Sequence, residues 1–194
     1  MLETLIQNLN IFPLSRPRPD PLSEATHAAV LILLSGPVND PVIRLTQRSR
    51  YVSHHPGEVA FPGGMWEESD NDLWATALRE SEEEIGLKAQ SVWPLATMPQ
   101  ASPMHRKVAV TPCVGLLQKD YALIPEPAEI AAIFHIPVSY LLHVNNYGYF
   151  TAEHRGKIYT LPHVDYAGYR IWGFTLKVLV DMLNASMASN IDLH

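Results

Sequence analysis

Sixteen prolines and ten glycines among 194 residues set the strongest limit on what this chain can fold into. Proline interrupts helices and central strands because its nitrogen carries no hydrogen and its φ angle is fixed. A chain interrupted this often predicts many short elements joined by turns, and it is incompatible with a long helical bundle. The length corresponds to one ordinary domain, and the 47% of apolar residues are enough for a hydrophobic core.

The segments between these interruptions predict a mixture of strands and helices. Apolar residues recur at helical spacing in the first twelve residues, and the proline-rich stretch 13–23 predicts an extended arm. Strand patterns, including two hairpins, occupy residues 28–34, 41–49, 58–61, 91–98, 107–117, 146–161 and 169–174. Residues 127–142 predict a short helix, a strand and the start of another helix, and residues 175–188 predict a C-terminal helix.

The predicted organisation is one α+β domain with short extensions. The N-terminal helix and arm occupy 1–26, the domain 27–188 and a tail 189–194. No internal repeat or low-complexity segment interrupts the domain.

Charge and cysteine content exclude several classes of protein. Twenty acidic and fourteen basic residues give a net charge of −6, which argues against bulk binding of nucleic acid or of an anionic membrane. Cys113 is the only cysteine, so an intramolecular disulfide and a cysteine-based zinc cluster are excluded. Glu3 stands where a secretory signal would carry a basic residue, and the run 28–34 is too short to span a membrane. We therefore expect a cytoplasmic protein, and the sequence leaves a homodimer open.

A helical period begins near residue 70 and ends at Gly86. Asp70 or Asn71 can cap the helix, and Asp72 suits its positive end. A buried stripe is predicted from four residues at helical spacing, which are Leu73, Ala77, Ser81 and Ile85. Gly86 is the expected terminator.

Three carboxylates of this helix carry the candidate chemistry. Glu80, Glu83 and Glu84 sit at i, i+3 and i+4 and project from one face, where their like charges repel. A hard cation such as Mg²⁺ or Mn²⁺ relieves this repulsion. Arg79 can fork onto a carboxylate and orient it. The alternative is an ordinary solvated glutamate-rich face, which is the expected state of Glu82.

Residues 79–87 resemble the signature of the Nudix hydrolase family. The family pattern is Gly, five residues, Glu, seven residues, then Arg-Glu-aliphatic-x-Glu-Glu-x-Gly-aliphatic, and the second half matches here except at Ser81. The spacing from Gly64 to Arg79 is one residue longer than the pattern. Asn71 occupies the first acidic position, for which Asp70 is the expected substitute.

An upstream segment is similar to the coenzyme A-directed subgroup of this family. The subgroup pattern Leu-Leu-Thr-x-Arg-Ser, followed at fixed spacing by a basic residue, Gly and Phe-Pro-Gly-Gly, aligns with residues 44–64. Arg44 replaces a leucine, and Ser53 stands where the basic residue is expected. The resemblance extends over about 27–185.

The resemblance implies a Nudix fold, an α/β/α sandwich with a central mixed β-sheet. It also implies metal-dependent hydrolysis of the diphosphate of coenzyme A or acyl-coenzyme A, giving 3′,5′-ADP and 4′-phosphopantetheine or its acyl form. Glu80, Glu83 and Glu84 would hold Mg²⁺ or Mn²⁺. The alternatives are another nucleoside diphosphate substrate, such as ADP-ribose or a dinucleotide, and an inactive Nudix domain that senses a ligand.

The general base stays open at the sequence level. The glutamates Glu83 and Glu84 of the signature can serve, with Arg79 orienting the group. In many relatives a later loop supplies the base, for which Glu129 and Glu126 are the local candidates. The alternative for Glu129 is a charge at the start of the short helix predicted there.

Substrate contacts are expected from the loop and strand before the signature. Gly63 and Gly64 let the backbone approach a metal or a phosphate. Arg48 is the first choice to bind the diphosphate or the 3′-phosphate, although an arginine on a strand also forms surface ion pairs. Arg50, His54 and His55 are expected to cover for Ser53. Arg106 and Lys107 are weaker candidates. The four tryptophans are expected in the core, although one of them could stack on an adenine base.

Overall fold

The computed structural model describes residues 1–20, 23–103, 107–154 and 156–193, so Arg106 lies outside the described residues. The helices are α1 (Leu2–Leu9), α2 (Leu73–Ile85), α3 (Val138–Leu142) and α4 (Gly173–Met187), with 3-10 turns at Ala89–Ser91 and Val144–Asn146. The strands are β1 (Thr26–Ser35), β2 (Val42–Arg48), β3 (Val59–Ala60), β4 (Gly63–Met65), β5 (Val92–Thr97), β6 (Val108–Leu117), β7 (Ile130–Pro137), β8 (Tyr147–His154), β9 (Lys157–Tyr166) and β10 (Tyr169–Trp172).

A seven-stranded mixed sheet forms the centre of the molecule. Its main path is β3-β2-β1-β6-β5, with β4 paired to β1 and β7 paired to β2. Strands β1 and β6 run parallel, whereas the other pairs are antiparallel. A second, three-stranded antiparallel sheet has the order β10-β9-β8. The mixed sheet predicted from the sequence is therefore confirmed.

Helices cover both faces of the large sheet and create two hydrophobic cores. On one face α2 packs against Leu31 and Leu33 of β1. On the opposite face α1 and α4 pack against Ile32 and Leu34. Burial of β1 on both faces explains why its sequence is continuously apolar rather than alternating.

The proline-rich arm is extended, as predicted, and it is bonded to the start of α2. The Pro17 carbonyl accepts a hydrogen bond from the Leu73 N–H at 2.9 Å, and the Ser15 carbonyl accepts one from the Thr97 hydroxyl at 2.6 Å. Among the described residues, no helix is long and apolar enough to cross a membrane.

Three local predictions are wrong. Residues 127–129 form a turn that leads into β7 rather than a helix, so a helix dipole does not account for Glu129. The N-cap of α2 is Asp72, not Asp70 or Asn71. Trp93 is 60% exposed, whereas Trp74 is fully buried. Cys113 is buried, and burial raises the pKa of its thiol.

Candidate active site

Helix α2 has a fixed start, end and orientation. The Asp72 carboxylate accepts a hydrogen bond from the Ala75 N–H at 2.8 Å, and Gly86 ends the helix with φ +66. The predicted stripe is buried, with Leu73, Ala77, Ser81 and Ile85 all at 0% exposure. These contacts hold one face against the sheet and direct Glu80 and Glu84 towards strand β4.

Two glycines in β4 leave room for these carboxylates. Gly63 adopts φ +146, and a Cβ there would lie 2.3 Å from the Ala29 carbonyl oxygen. At Gly64 an added Cβ would lie 2.4 Å from the Glu80 carboxyl carbon. Any side chain at either position would therefore push the strand away from β1 or the carboxylate away from its place.

Glu84 is a buried carboxylate with two partners. Its side chain is 4% exposed; Oε2 accepts a hydrogen bond from the Gly63 N–H at 3.1 Å, and Oε1 lies 3.5 Å from Arg48 Nη1. Burial raises the pKa of Glu84 to about 7, an effect that these two partners only partly offset. The negative charges of Glu80 and Glu129 contribute to the same increase.

Glu80 lies beside Glu84 in a similar environment. Burial is the largest influence on its carboxyl and raises the pKa, and the charges of Glu83 and Glu129 act in the same direction. Arg79 opposes this increase, with Nη1 3.0 Å from Glu80 Oε1. The cleft thus contains two desolvated carboxylates whose charges are incompletely balanced.

Arg79 connects this pair to a buried aspartate. Its Nε and Nη2 donate to the two carboxylate oxygens of Asp70 at 3.0 and 3.1 Å, and Nη2 also donates to the Met65 carbonyl at 2.9 Å. Burial acts to raise the pKa of Asp70, but hydrogen bonds from Arg79, the Glu67 N–H and the Thr76 hydroxyl outweigh it and lower the pKa. Asp70 is therefore engaged with Arg79 and orients it, rather than facing the other carboxylates.

The carboxylates suit a divalent cation, although they are not all assembled for one. Within the part of the chain that the structure describes, no three His, Cys, Asp or Glu side chains are grouped to hold a metal as they stand. Glu80 and Glu84 meet at the glycines, whereas Glu83 is 62% exposed and lies 3.6 Å from Arg79 Nη1. Buried oxygen donors with raised pKa values are stabilised by a hard cation. The carboxylate oxygens of Glu80 and Glu84 fit Mg²⁺ or Mn²⁺, whereas the Glu83 carboxylate lies beside Arg79.

The β2–β3 loop approaches the carboxylates through Arg48. The Arg48 Nε donates to the His54 carbonyl at 3.2 Å, so the loop backbone orients the guanidinium. His55 pairs instead with Glu58, at 2.7 Å between Nδ1 and Oε2, a partner that the i, i+3 spacing could have indicated. Arg50 and the His54 ring are exposed on the loop.

Of the later glutamates, Glu129 is electrostatically coupled to the cleft. Its charge raises the pKa of both Glu80 and Glu84, and its carbonyl accepts a hydrogen bond from the Ser49 N–H at 2.7 Å. Glu126 Oε1 accepts from the Ala128 N–H within the turn at 3.3 Å. Lys107 is exposed and lies 3.9 Å from Glu24, so it is paired outside this site.

Comparison of the chain with known proteins identifies one matching family. The model of the NUDIX domain matches residues 25–152. The chain belongs to the Nudix hydrolase family. Members of this family act on small nucleotide-derived substrates and generally use divalent metal ions such as Mg²⁺ or Mn²⁺.

Curated relatives resemble this Nudix hydrolase over most of its length. It is 38% identical over 167 residues to a Photorhabdus laumondii protein named "Uncharacterized Nudix hydrolase NudL", covering 84% of this chain and 87% of that one. It is 35% identical over 177 residues to the Arabidopsis thaliana protein "Nudix hydrolase 15, mitochondrial", covering 88% of this chain and 61% of that one.

Solved structures share the fold at low sequence identity. A MutT/nudix family protein from Enterococcus faecalis superposes with a TM-score of 0.57 at 12% identity, covering 88% of this chain and 65% of that one. The Nudix hydrolase RenU from M. smegmatis gives 0.50 at 20% identity, covering 60% and 73%.

Proposed function

We propose that this Nudix hydrolase cleaves the diphosphate of coenzyme A or acyl-coenzyme A. The observation that carries the proposal is the contact of Arg48 with Glu84 at 3.5 Å. Arg48 belongs to the segment 44–64 that resembles the coenzyme A-directed subgroup, and Gly63 and Gly64 end that segment against the two buried carboxylates. Residues 44–64, which indicate the substrate, therefore line the same cleft as Glu80 and Glu84, which indicate the chemistry.

Glu80 and Glu84, with Glu83 after rotation, would hold Mg²⁺ or Mn²⁺. When bound, the ion would neutralise diphosphate charge and lower the pKa of a coordinated water. Arg79 and Asp70 keep Glu80 in position through the pair of hydrogen bonds between them. The contact of the Arg48 guanidinium with Glu84 supports a role for Arg48 in binding a diphosphate oxygen.

Glu129 is our choice of general base. Its side chain is exposed and its charge acts on both buried glutamates, which supports a role in accepting the proton of the attacking water. In the reaction the water oxygen bonds to one phosphorus while the bridging P–O bond breaks. The water proton passes to the carboxylate, and the bridging oxygen leaves with the other phosphate.

Mass analysis of the products tests this proposal. Purified protein with Mg²⁺ or Mn²⁺ would be given coenzyme A, ADP-ribose and dinucleotides separately. We expect 3′,5′-ADP and 4′-phosphopantetheine from coenzyme A, at a higher kcat/KM than for the other substrates. Cleavage of ADP-ribose or dinucleotides but not of coenzyme A would contradict the substrate assignment, and binding without cleavage of any of them would favour a ligand sensor.

A further inference from the structure

A pocket of about 450 Å³ lies beyond the carboxylate cleft, and it contains a cation with no role in the chemistry described above. Its lining comprises Arg44, Asp120, Tyr121, Ala122, Leu123 and Ile133. We refer to it as the Arg44 pocket.

The Arg44 pocket opens on the same face of the sheet as the carboxylates. Arg44 pairs with Leu33 across β1–β2, and Leu33 packs under α2. Side chains alternate along a strand, so Arg44 and Arg48 project from the same face of β2, about 13 Å apart along the strand. Two phosphates joined through one ribose can contact both arginines across this separation, because the two long side chains can reach towards them.

One chain segment links the Arg44 pocket to the cleft. Residues 120–123 form a wall of the pocket. The same segment then runs past the end of α2, where the Ile124 N–H donates to the Ile85 carbonyl at 3.0 Å and the Glu126 N–H donates to the Glu84 carbonyl at 2.9 Å. A ligand with one phosphate at Arg48 therefore has the pocket within its reach.

The guanidinium in this pocket is fixed on one side and has an exchangeable partner on the other. The Arg44 side chain is 17% exposed, and its Nε donates to the buried Ser35 hydroxyl at 2.9 Å. Its Nη2 donates to Asp120 Oδ1 at 2.8 Å, but the Asp120 side chain is 62% exposed. A mostly buried cation whose counterion is in solvent can exchange that counterion for an anionic ligand, since a surface ion pair contributes little.

We propose that the Arg44 pocket binds the phosphate of the substrate that is not hydrolysed, which is the 3′-phosphate of coenzyme A. The proposal rests on the proposed function. Arg44 replaces the leucine of the subgroup pattern, and Ser53 stands where that pattern has a basic residue. In this chain Arg44 supplies the positive charge from a different position, while Arg48 binds the diphosphate.

Two substitutions of opposite sign test this assignment. The ratio of kcat/KM for coenzyme A to that for dephospho-coenzyme A would be measured in wild type, Arg44→Leu and Asp120→Asn. We expect Arg44→Leu to lower the ratio about tenfold or more, the scale of a charge-assisted hydrogen bond, with dephospho-coenzyme A unaffected. Asp120→Asn should raise the ratio because it removes the competing carboxylate. Arg170→Leu, which removes an exposed arginine paired with Asp165 at 2.9 Å, is the matched control and should change nothing.

A binding measurement separates failure of this inference from failure of the proposed function. Calorimetry on metal-free protein would compare 3′,5′-ADP with AMP, and we expect tighter binding of 3′,5′-ADP that Arg44→Leu abolishes. If wild type does not cleave coenzyme A, the proposed function fails and this comparison alone decides the pocket. Equal affinities for the two nucleotides, an unchanged ratio in Arg44→Leu, or a lowered ratio in Asp120→Asn would each overturn the inference. Arg44→Gln replaces Arg44→Leu if the leucine variant does not fold by circular dichroism.

Discussion

Gly64 lies directly against the carboxylate of Glu80. A Cβ at this glycine would come within 2.4 Å of the carboxyl carbon and of Oε2, well inside van der Waals contact. The glycine of strand β4 therefore determines where a glutamate of helix α2 can rest, which links the two halves of the family signature in space.

We predict that Gly64→Ala lowers kcat by about a hundredfold, because displacement of a reactive group by about 1 Å costs this much. The protein should stay folded, since the clash is with a side chain. Steady-state kinetics and circular dichroism measure both effects. Gly168→Ala is the control, because Gly168 has φ +86 and open space around it. An alanine there introduces backbone strain without a clash and at a distance from the site. Equal activity of Gly64→Ala and wild type would contradict the packing argument.

Glu80→Gln and Glu84→Gln should each reduce kcat severely, by about a hundredfold or more, if these carboxylates hold the cation. They should also weaken Mn²⁺ binding, measured by calorimetry. Glu82→Gln is the matched control on the same helix, since Glu82 is exposed. Loss of activity in all three variants alike would indicate damage to the helix rather than to a metal site.

The metal-free protein should lose stability as the pH rises, because of Glu84. Its folded pKa of about 7 exceeds the ordinary value of 4.5, so its contribution is fully present below pH 4.5 and is lost as the pH passes 7. Glu84→Gln removes this loss and should be more stable than wild type by about 2 kcal/mol at pH 8, with little difference at pH 5. Urea unfolding in EDTA measures the difference, and a difference that is independent of pH would contradict the account.

Asp70→Asn should weaken the active site indirectly, because Asp70 acts on Glu80 through Arg79. The neutral amide cannot accept both Arg79 hydrogen bonds, so Arg79 would hold Glu80 less firmly. We expect a decrease in kcat of about tenfold with a smaller change in KM, and a loss of about 1–3 kcal/mol in the free energy of unfolding. Asp165→Asn breaks an exposed arginine pair and should leave both quantities near wild type. A change in KM alone would mean that Asp70 acts on substrate binding.

Glu129→Gln tests the general base. Loss of the base should lower kcat by about a hundredfold or more with little change in KM or in the free energy of unfolding, whereas a role in structure alone would lower the free energy of unfolding. Glu126→Gln is the comparison, because its carboxylate is bonded within the turn. An unaltered kcat in Glu129→Gln would return the role to a glutamate of α2.

The features of helix α2 that depend on residues close together in the sequence were predicted correctly. The buried stripe of α2 and its end at Gly86 follow from helical spacing and from the left-handed conformation that glycine adopts. The position of Asp70 could not be predicted in this way, because its partner Arg79 is nine residues away and the loop between them had to be placed first. Glu83 shares a helical face with Glu80, yet it is exposed because the glycine strand covers only part of that face.

Contacts between distant segments were not accessible from the sequence. The pairing of Arg44 with Asp120 joins residues 76 positions apart, and the departure of Arg44 from the subgroup pattern was the only signal. The prediction of a short helix near Glu129 was wrong because hydrogen bonds with β2 extend strand β7 back to Ile130.

Direct competition between two substrates tests the central claim most simply. Equal concentrations of coenzyme A and ADP-ribose in one reaction with Mg²⁺ or Mn²⁺ give initial rates whose ratio equals the ratio of kcat/KM. We predict that coenzyme A is consumed first, that 3′,5′-ADP and 4′-phosphopantetheine appear together, and that Glu84→Gln abolishes both products. Consumption of ADP-ribose while coenzyme A stays intact would contradict the account.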